Sequence, residues 1–414
     1  MPFAKRLCGA VSRLAVAAAF SAVASATVIS AAGAETPVKE VKIGVLTDMS
    51  SIYSDLVGPG SVVAAQMAID DFVAAEKPAF KISLLSADHT SKADVASSIA
   101  RKWIDEQGVN VLTDVAGASV TLAVSNIGAE KNRLVLATAS GQNSLSSEDC
   151  KPTTLHWSYN TRAVAATTAK AVTMDGAKDW YFVTADYAGG RSLEEDATKG
   201  ILAAGGKVLG SVKHPFNNAD FSSQILMGQS SGAKAIGFGN SGPDTINAVK
   251  QANEYGLNGS VALTPLLPMI TDIDAMGLDM AKGMYVTESF YWDLNDQTRA
   301  WSKRFFDQRR KMPTMVQAGL YSAVNHYLKA VKAAGTTDTA PVLAAMKDMT
   351  ISDAVTKPSH LRADNIVLRD MYLFKVKTPS DSKYPWDYYT LLKTIPGEEA
   401  FAPLSESKCP LVKK

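Results

Sequence analysis

Short β-rich runs alternate with helix-like stretches along most of the chain, and this rhythm constrains the fold more than any other feature. Nine runs rich in apolar and β-branched residues are each followed by a stretch with helical spacing. Such alternation is typical of parallel sheets with helices on both faces. The runs lie at residues 41–46, 80–86, 109–115, 134–137, 180–184, 208–212, 235–238, 261–263 and 284–287.

Nine strands exceed a comfortable single sheet, so the sequence predicts an α/β fold with two doubly wound parallel-sheet lobes. Lobe 1 is predicted to combine residues 35–157 with about 290–345. Lobe 2 is predicted to combine residues 158–289 with about 346–414.

The chain is predicted to cross between the lobes near residues 157–161 and 287–293, which together would form a hinge. Two long helices, 297–311 and 315–334, follow the second crossing. The C-terminal region adds two strands that could pair antiparallel, at 370–376 and 386–393.

The first 34 residues have the parts of a secretory signal peptide. Three basic residues come first, Lys5, Arg6 and Arg13, and an apolar run follows from Leu14 to about Ile29. A small-x-small site ends at Ala34. The apolar run, of roughly 16 residues, is short for a membrane-spanning helix, which needs about 20 residues. We therefore predict cleavage after Ala34 and export to the periplasm.

The charge of the chain is nearly balanced, with 42 Lys+Arg against 41 Asp+Glu. Without the three cations of the signal peptide, 39 basic residues face 41 acidic ones, a formal charge of −2. Nucleic-acid binders usually carry a marked basic excess, so this class of partner is excluded.

Two cysteines remain after removal of the signal peptide, Cys150 and Cys409. In an oxidising compartment an even pair favours a disulfide, which would join the C-terminal tail to the body of the protein. The alternative is two separate buried thiols.

The catalytic motifs in the sequence fail on their context. Residues 228–232 match G-x-S-x-G, but a helix-like stretch precedes the serine where the nucleophile elbow needs a strand. Residues 237–242 match G-x-G-x-x-G, but no acidic residue ends the next strand. The five histidines are scattered without metal-ligand spacing. We predict no enzymatic activity, no cofactor and no metal.

Polar and aromatic residues follow successive predicted strands. Loops at the carboxyl ends of parallel strands share one edge, so two facing lobes would enclose a cleft lined by these loops. Backbone N–H groups at helix starts, with the hydroxyls of Ser119 and Ser140, would suit a carboxylate. The alternative is that these hydroxyls only cap helices.

The order of three motifs resembles a known family. These motifs are 41–48 at the mature start, 58–60 before a long helix, and 185–190 with its Ala-Asp-Tyr-Ala-Gly-Gly sequence. Together with a signal peptide and two α/β lobes, they resemble the type I periplasmic solute-binding proteins of ABC transporters, of the leucine/isoleucine/valine-binding kind. The segments 291–296 and 384–389 indicate a non-classical subgroup.

The resemblance implies the position of the ligand. A serine after the third strand and the turn after the fourth would hold a carboxylate, Tyr187 would line the other side, and the Tyr53 loop would close over it. Trp292 would be a further stacking partner for an aromatic acid. The predicted ligand-binding residues are Tyr53, Ser54, Ser119, Thr138, Ala139, Ser140, Gln142, Tyr187, Asn240, Leu266 and Trp292.

The substrate prediction depends on Leu266 and Leu267, which align where amino-acid binders usually place an acidic side chain. Leucines cannot neutralise an ammonium, and an unpaired buried ammonium is costly. We therefore expect a small carboxylate without an α-amino group, such as an aromatic acid. Asp186 or Glu288 could supply the missing charge, so a branched-chain amino acid stays as the alternative.

The resemblance also implies the partners. We expect a monomer that delivers its ligand to an inner-membrane ABC permease. A periplasmic sensor subunit is the alternative role.

Overall fold

The computed structural model describes residues 37–413, so the predicted signal peptide lies outside the described residues. The fourteen strands are β1 Glu40–Thr47, β2 Lys81–Asp88, β3 Val111–Asp114, β4 Leu134–Ala137, β5 Thr154–His156, β6 Asp179–Ala185, β7 Lys207–His214, β8 Ala235–Gly239, β9 Ala262–Pro265, β10 Tyr285–Glu288, β11 His360–Leu361, β12 Val367–Leu368, β13 Met371–Val376 and β14 Tyr389–Ile395. The helices are α1 Gly58–Glu76, α2 Ala93–Asp105, α3 Ala118–Glu130, α4 Thr167–Met174, α5 Ala188–Ala203, α6 Ser222–Ser230, α7 Pro243–Glu254, α8 Ile270–Met276, α9 Leu278–Ala281, α10 Asp296–Arg309, α11 Met315–Ala334, α12 Thr339–Asp348 and α13 Gly397–Ala400.

Two parallel sheets form the framework, which confirms the predicted α/β class. The first has the strand order β2-β1-β3-β4-β5 and the second β7-β6-β8-β9, and every pairing within them is parallel. The inner strands read as continuous apolar runs because helices cover both of their faces. Strand β4, for example, is apolar and buried at all four residues.

A third sheet, of order β10-β13-β14, is antiparallel throughout. The sequence predicted β13 and β14 as an antiparallel pair, and the structure confirms it. β10 belongs to this small sheet and not to a parallel one. It pairs antiparallel with β13, and Val286 lies opposite Phe374.

Helix α11 is the most buried long helix of the described chain and packs against α1. Its N-cap Thr314 donates a side-chain hydrogen bond to the carbonyl of Leu56 (2.8 Å), and Gln317 donates to the carbonyl of Val57 (3.0 Å). These bonds fix the loop that follows β1.

The C-terminal tail is attached to the first sheet. Cys150 and Cys409 are joined by a disulfide, which confirms that prediction. The amide of His156 donates to the carbonyl of Asn365 (2.8 Å) beside β12. The sequence assigned this whole C-terminal region to lobe 2. We propose instead that residues 360–368 and the tail belong to lobe 1, and we keep the remaining predicted lobe boundaries as a proposal.

Candidate functional site

A small cavity of about 50 Å³ lies between the carboxyl ends of the two parallel sheets. Loops after β1, β3, β4 and β5 contribute one side, and loops after β6, β8 and β9 contribute the other. The residues that line the cavity are Tyr53, Leu56, Val57, Ala116, Gly117, Ala118, Ala139, Ser140, Gly141, Gln142, Tyr159, Thr161, Tyr187, Gly189, Leu193, Ser241, Leu267, Met269 and Val316.

Five of the predicted ligand-binding residues meet in this cavity: Tyr53, Ala139, Ser140, Gln142 and Tyr187. The Tyr53 hydroxyl donates to the Tyr187 hydroxyl across the cleft (3.2 Å). The Ser140 hydroxyl donates to the Gln142 side-chain oxygen (3.2 Å), so both polar groups are held within the wall.

Three predicted residues lie one position away from a residue that lines the cavity on the lobe 1 side. Ser119 is exposed, because α3 begins at Ala118 and the next residue turns outward. Thr138 is buried below the cavity, where its hydroxyl donates to Asp114 (3.0 Å). Ser54 is only partly buried and does not line the cavity.

The two residues predicted in lobe 2 also lie one position away in sequence from residues that line the cavity. Asn240 is buried in a network with His214 and Thr245, and the following Ser241 lines the cavity. Leu266 is buried, while Leu267 lines the cavity.

Trp292 lies in a different part of the molecule from the cavity lining. Its indole N–H donates to the carbonyl of Trp386 (2.9 Å), and its ring packs edge-on against Tyr384. It does not line this cavity.

Helices α3 and α5 are among those that begin at the cavity without a side-chain cap. Gly117 is the N-cap of α3 and Tyr187 is the N-cap of α5, and neither helix has an acidic residue in its first turn. The first N–H groups of a helix lack intrahelical partners and carry the positive end of its dipole. The two helix starts can therefore donate to an anionic oxygen inside the cavity.

The turn before α3 is strained. Asp114 and Val115 have φ angles of 75° and 53°, although both carry a side chain and Val115 is β-branched. Such residues cost free energy and persist where the surrounding structure holds them, often at binding sites. This turn leads directly into Ala116 and Gly117 at the cavity wall.

Tyrosine hydroxyls supply the remaining donors. Burial raises the pKa of Tyr53, Tyr159 and Tyr187, so all three stay protonated at neutral pH. The Tyr159 ring lies over Gly141, where a Cβ atom would come within 2.3 Å of the ring. Glycine at this position allows the ring to form part of the wall.

No side chain that lines this cavity of the described chain is charged. Asp186 is paired with Arg191 (2.8 Å) and Glu288 accepts a hydrogen bond from Tyr389 (2.8 Å), so the two acids that could have met an ammonium are engaged elsewhere. Burial raises the pKa of Glu288 to about 8 and that of Asp272, behind Met269, to about 7. Within residues 37–413, no cluster of His, Cys, Asp or Glu is arranged to hold a metal ion.

Sequence reasoning missed several lining residues. Tyr159 and Thr161 follow β5, a three-residue strand that the sequence did not indicate. Val316 comes from the start of α11, far along the chain. Ala118, Ser241 and Met269 follow predicted strands, where the rule that ligands meet the loops after successive strands places the site.

Comparison with known proteins agrees with this geometry. A family model described as periplasmic binding protein matches residues 40–383. The chain is 43% identical to a solved periplasmic binding protein from Burkholderia mallei, with a TM-score of 0.87 over 91% of this chain and 100% of that one.

Two further solved structures are similar. A branched chain amino acid ABC transporter periplasmic ligand-binding protein from Burkholderia xenovorans LB400 is 40% identical, with a TM-score of 0.80 over 90% of this chain and 99% of that one. An ABC transporter solute binding protein from R. palustris, in complex with benzoate, shares the fold at 20% identity, with a TM-score of 0.76 over 90% and 99%.

The two-sheet fold and the interlobe cavity define a substrate-binding protein of an ABC transporter. The chain belongs to the periplasmic binding protein family, which confirms the resemblance inferred from the sequence. Among the described residues, none of the helices combines the length and apolar character that a membrane crossing requires.

Proposed function

We propose that the protein captures a small carboxylate without an α-amino group, with an aromatic acid as the best candidate, and delivers it from the periplasm to an inner-membrane ABC permease. It acts by binding and not by chemistry. The observation that carries this proposal is a cavity with two uncapped helix starts and no charged side chain.

The helix starts at Gly117 and Tyr187 suit the carboxylate. Each offers free N–H groups and a partial positive charge, which supports an anion without a buried cationic side chain. The hydroxyls of Ser140 and Ser241 lie in the same lining and supply further donors.

The rest of the wall suits an apolar body. Leu267, Met269 and Val316 contribute aliphatic surface, and Tyr53 and Tyr159 contribute rings. Aromatic rings favour edge-to-face or offset contacts with another ring. The benzoate complex of the R. palustris protein, which has the same fold, is in line with an aromatic ligand.

A branched-chain amino acid is the second candidate, because the Burkholderia xenovorans relative is described as a branched chain amino acid ABC transporter protein. In this cavity the ammonium would meet hydroxyls and carbonyls but no carboxylate. Burying a charge without an ionic partner costs several kcal/mol, about two or more powers of ten in affinity.

Closure of the cleft produces the conformation that a permease would recognise. The Tyr53–Tyr187 hydrogen bond already joins the loop after β1 to the loop after β6. A ligand stabilises the closed state only through contacts that the open state lacks, and the helix starts from both sheets provide such contacts.

A thermal-shift screen of small carboxylates on the purified protein tests the proposal. Benzoate, cinnamate, phenylacetate and leucine are compared, since a ligand at 100 times its dissociation constant stabilises the folded state by about 2.7 kcal/mol. We expect stabilisation by at least one aromatic acid. Stabilisation by leucine alone would overturn the aromatic preference, and turnover of any ligand would overturn a binding role.

A further inference from the structure

An aromatic segment that leads into β14, residues 384–389, contacts the segment after β10 and helix α8. We call this segment the latch. Its sequence is Tyr-Pro-Trp-Asp-Tyr-Tyr, and it is one of the two segments that indicate a non-classical subgroup. One end of the latch bonds to residues 288–295, which connect β10 to α10 and which we call the hinge segment.

At the hinge segment, the carbonyl of Trp386 accepts two hydrogen bonds. The Tyr291 hydroxyl donates at 3.2 Å and the Trp292 indole at 2.9 Å. The Tyr384 hydroxyl donates to Asp293 at 2.6 Å. Three consecutive hinge residues are therefore bonded to the latch.

The backbone of Trp386 is strained to make these bonds. Its φ angle is 69°, a left-handed conformation that a large side chain rarely adopts, and its side chain is buried. Strained residues persist where their surroundings hold them and cluster at sites that need a fixed geometry. The residue with this strained backbone is the one whose carbonyl accepts both hydrogen bonds.

At its other end the latch holds α8. The Tyr388 hydroxyl donates to Asp274 on that helix (2.5 Å). Met269, the N-cap of α8, lines the cavity, and its amide donates to Asp272 (2.9 Å) in the first turn of the same helix. One hydrogen bond thus joins the latch to α8, the helix whose N-cap residue Met269 lines the cavity.

We propose that Tyr388 and Trp386 are positioning residues for ligand capture. They fix α8, and with it Met269, relative to the hinge segment, so that movement at the hinge moves the cavity wall. The consequence for affinity rests on the proposed function of the cavity, but the mechanical coupling does not depend on the ligand.

Four variants test the coupling. Tyr388→Phe keeps the ring and removes the donor, and Asp274→Ala removes the acceptor. Asp274→Asn keeps an acceptor oxygen and serves as the conservative rescue. Tyr285→Phe is the matched control, because its hydroxyl makes a similar bond to Asp175 (2.7 Å) away from the latch and α8.

Hydrogen exchange of the full-length, ligand-free protein is the primary measurement. We expect exchange about fivefold faster or more in both 269–276 and 288–295 for Tyr388→Phe and Asp274→Ala, and wild-type exchange for Asp274→Asn and Tyr285→Phe. Faster exchange confined to 384–389, or no change in either distant segment, would overturn the proposal.

Titration with benzoate and with leucine gives a second readout. Whichever of the two binds the wild-type protein should bind Tyr388→Phe and Asp274→Ala about three- to tenfold more weakly, and Asp274→Asn unchanged. If leucine is the ligand, the proposal of a carboxylate without an α-amino group fails, while the role of the latch is still tested. Equal affinity in all variants would show that the latch does not position the cavity.

Discussion

The hydrogen bond from the Tyr53 hydroxyl to the Tyr187 hydroxyl (3.2 Å) joins the loop after β1 to the loop after β6. Removing either hydroxyl, by Tyr53→Phe or Tyr187→Phe, should weaken ligand binding by about 0.5–1.5 kcal/mol, the usual net worth of one hydrogen bond. The double variant should lose little more than either single one, because the two hydroxyls share one interaction. Titration calorimetry on the three variants measures this coupling, and fully additive losses would contradict it.

Glu288 should make the stability of the protein depend on pH. Burial raises its pKa to about 8 in the folded state, against an ordinary value of 4.5, so the folded protein keeps a proton that the unfolded chain has released. The free energy of unfolding should therefore fall as pH rises from about 5 to about 8, by up to about 1.4 kcal/mol per pH unit from this group.

The variant Glu288→Gln isolates this effect. The amide cannot ionise, and its oxygen can still accept the Tyr389 hydrogen bond. Urea denaturation at pH 5, 6.5 and 8 should give a shallower pH dependence for the variant than for the wild type. The same slope in both proteins would show that Glu288 is ionised in the folded state across this range.

The start of α3 carries a sharper test of the anion site. Ala118→Asp places a carboxylate in the first turn at the cavity wall, where it would occupy the free N–H groups and repel a bound carboxylate. Ser119→Asp adds the same charge to the same turn, but on an exposed position. Both variants should fold, since an acid in the first turn stabilises a helix.

We expect Ala118→Asp to reduce carboxylate affinity by 100-fold or more, and Ser119→Asp to reduce it by less than about threefold. Fluorescence or calorimetric titration of both proteins gives the comparison. Equal losses would indicate that a general charge effect, and not the helix start at the cavity, controls binding.

Across the whole molecule, the disulfide between Cys150 and Cys409 joins positions 259 residues apart in sequence. Loss of a native disulfide typically costs about 2–5 kcal/mol, because the unfolded chain regains freedom. The paired variant Cys150→Ser/Cys409→Ser should show a lower melting temperature with unchanged ligand affinity, since neither residue lines the cavity. A large loss of affinity would mean that the tail supports the cleft directly.

The two-lobe architecture and the loops that form the site could be predicted from the sequence, because strand runs with following helices specify parallel sheets and their carboxyl edges. The side chains within each loop could not, since they depend on where a helix begins. Ser119 was predicted from the resemblance, whereas Ala118, the first residue of α3, lines the cavity and Ser119 is exposed.

Other residues needed the three-dimensional packing. Val316 reaches the cavity because the N-cap of α11 bonds to the Tyr53 loop, a contact between residues more than 250 positions apart. Trp292 was predicted as a stacking partner for an aromatic acid, but its indole N–H donates to the carbonyl of Trp386 in the latch. From Leu266 and Leu267 the sequence predicted that no acidic side chain stands at this position of lobe 2, and Leu267 lies in the cavity wall.

This uncharged cavity should bind a carboxylate and exclude an α-ammonium. Calorimetric titration with 3-phenylpropanoate and phenylalanine, and with 4-methylpentanoate and leucine, measures this selectivity, because the members of each pair differ only in the amino group. We expect at least one des-amino acid to bind, and to bind tenfold or more tightly than its amino acid. Tighter binding of leucine or phenylalanine than of its partner would show that the cavity accepts the ammonium.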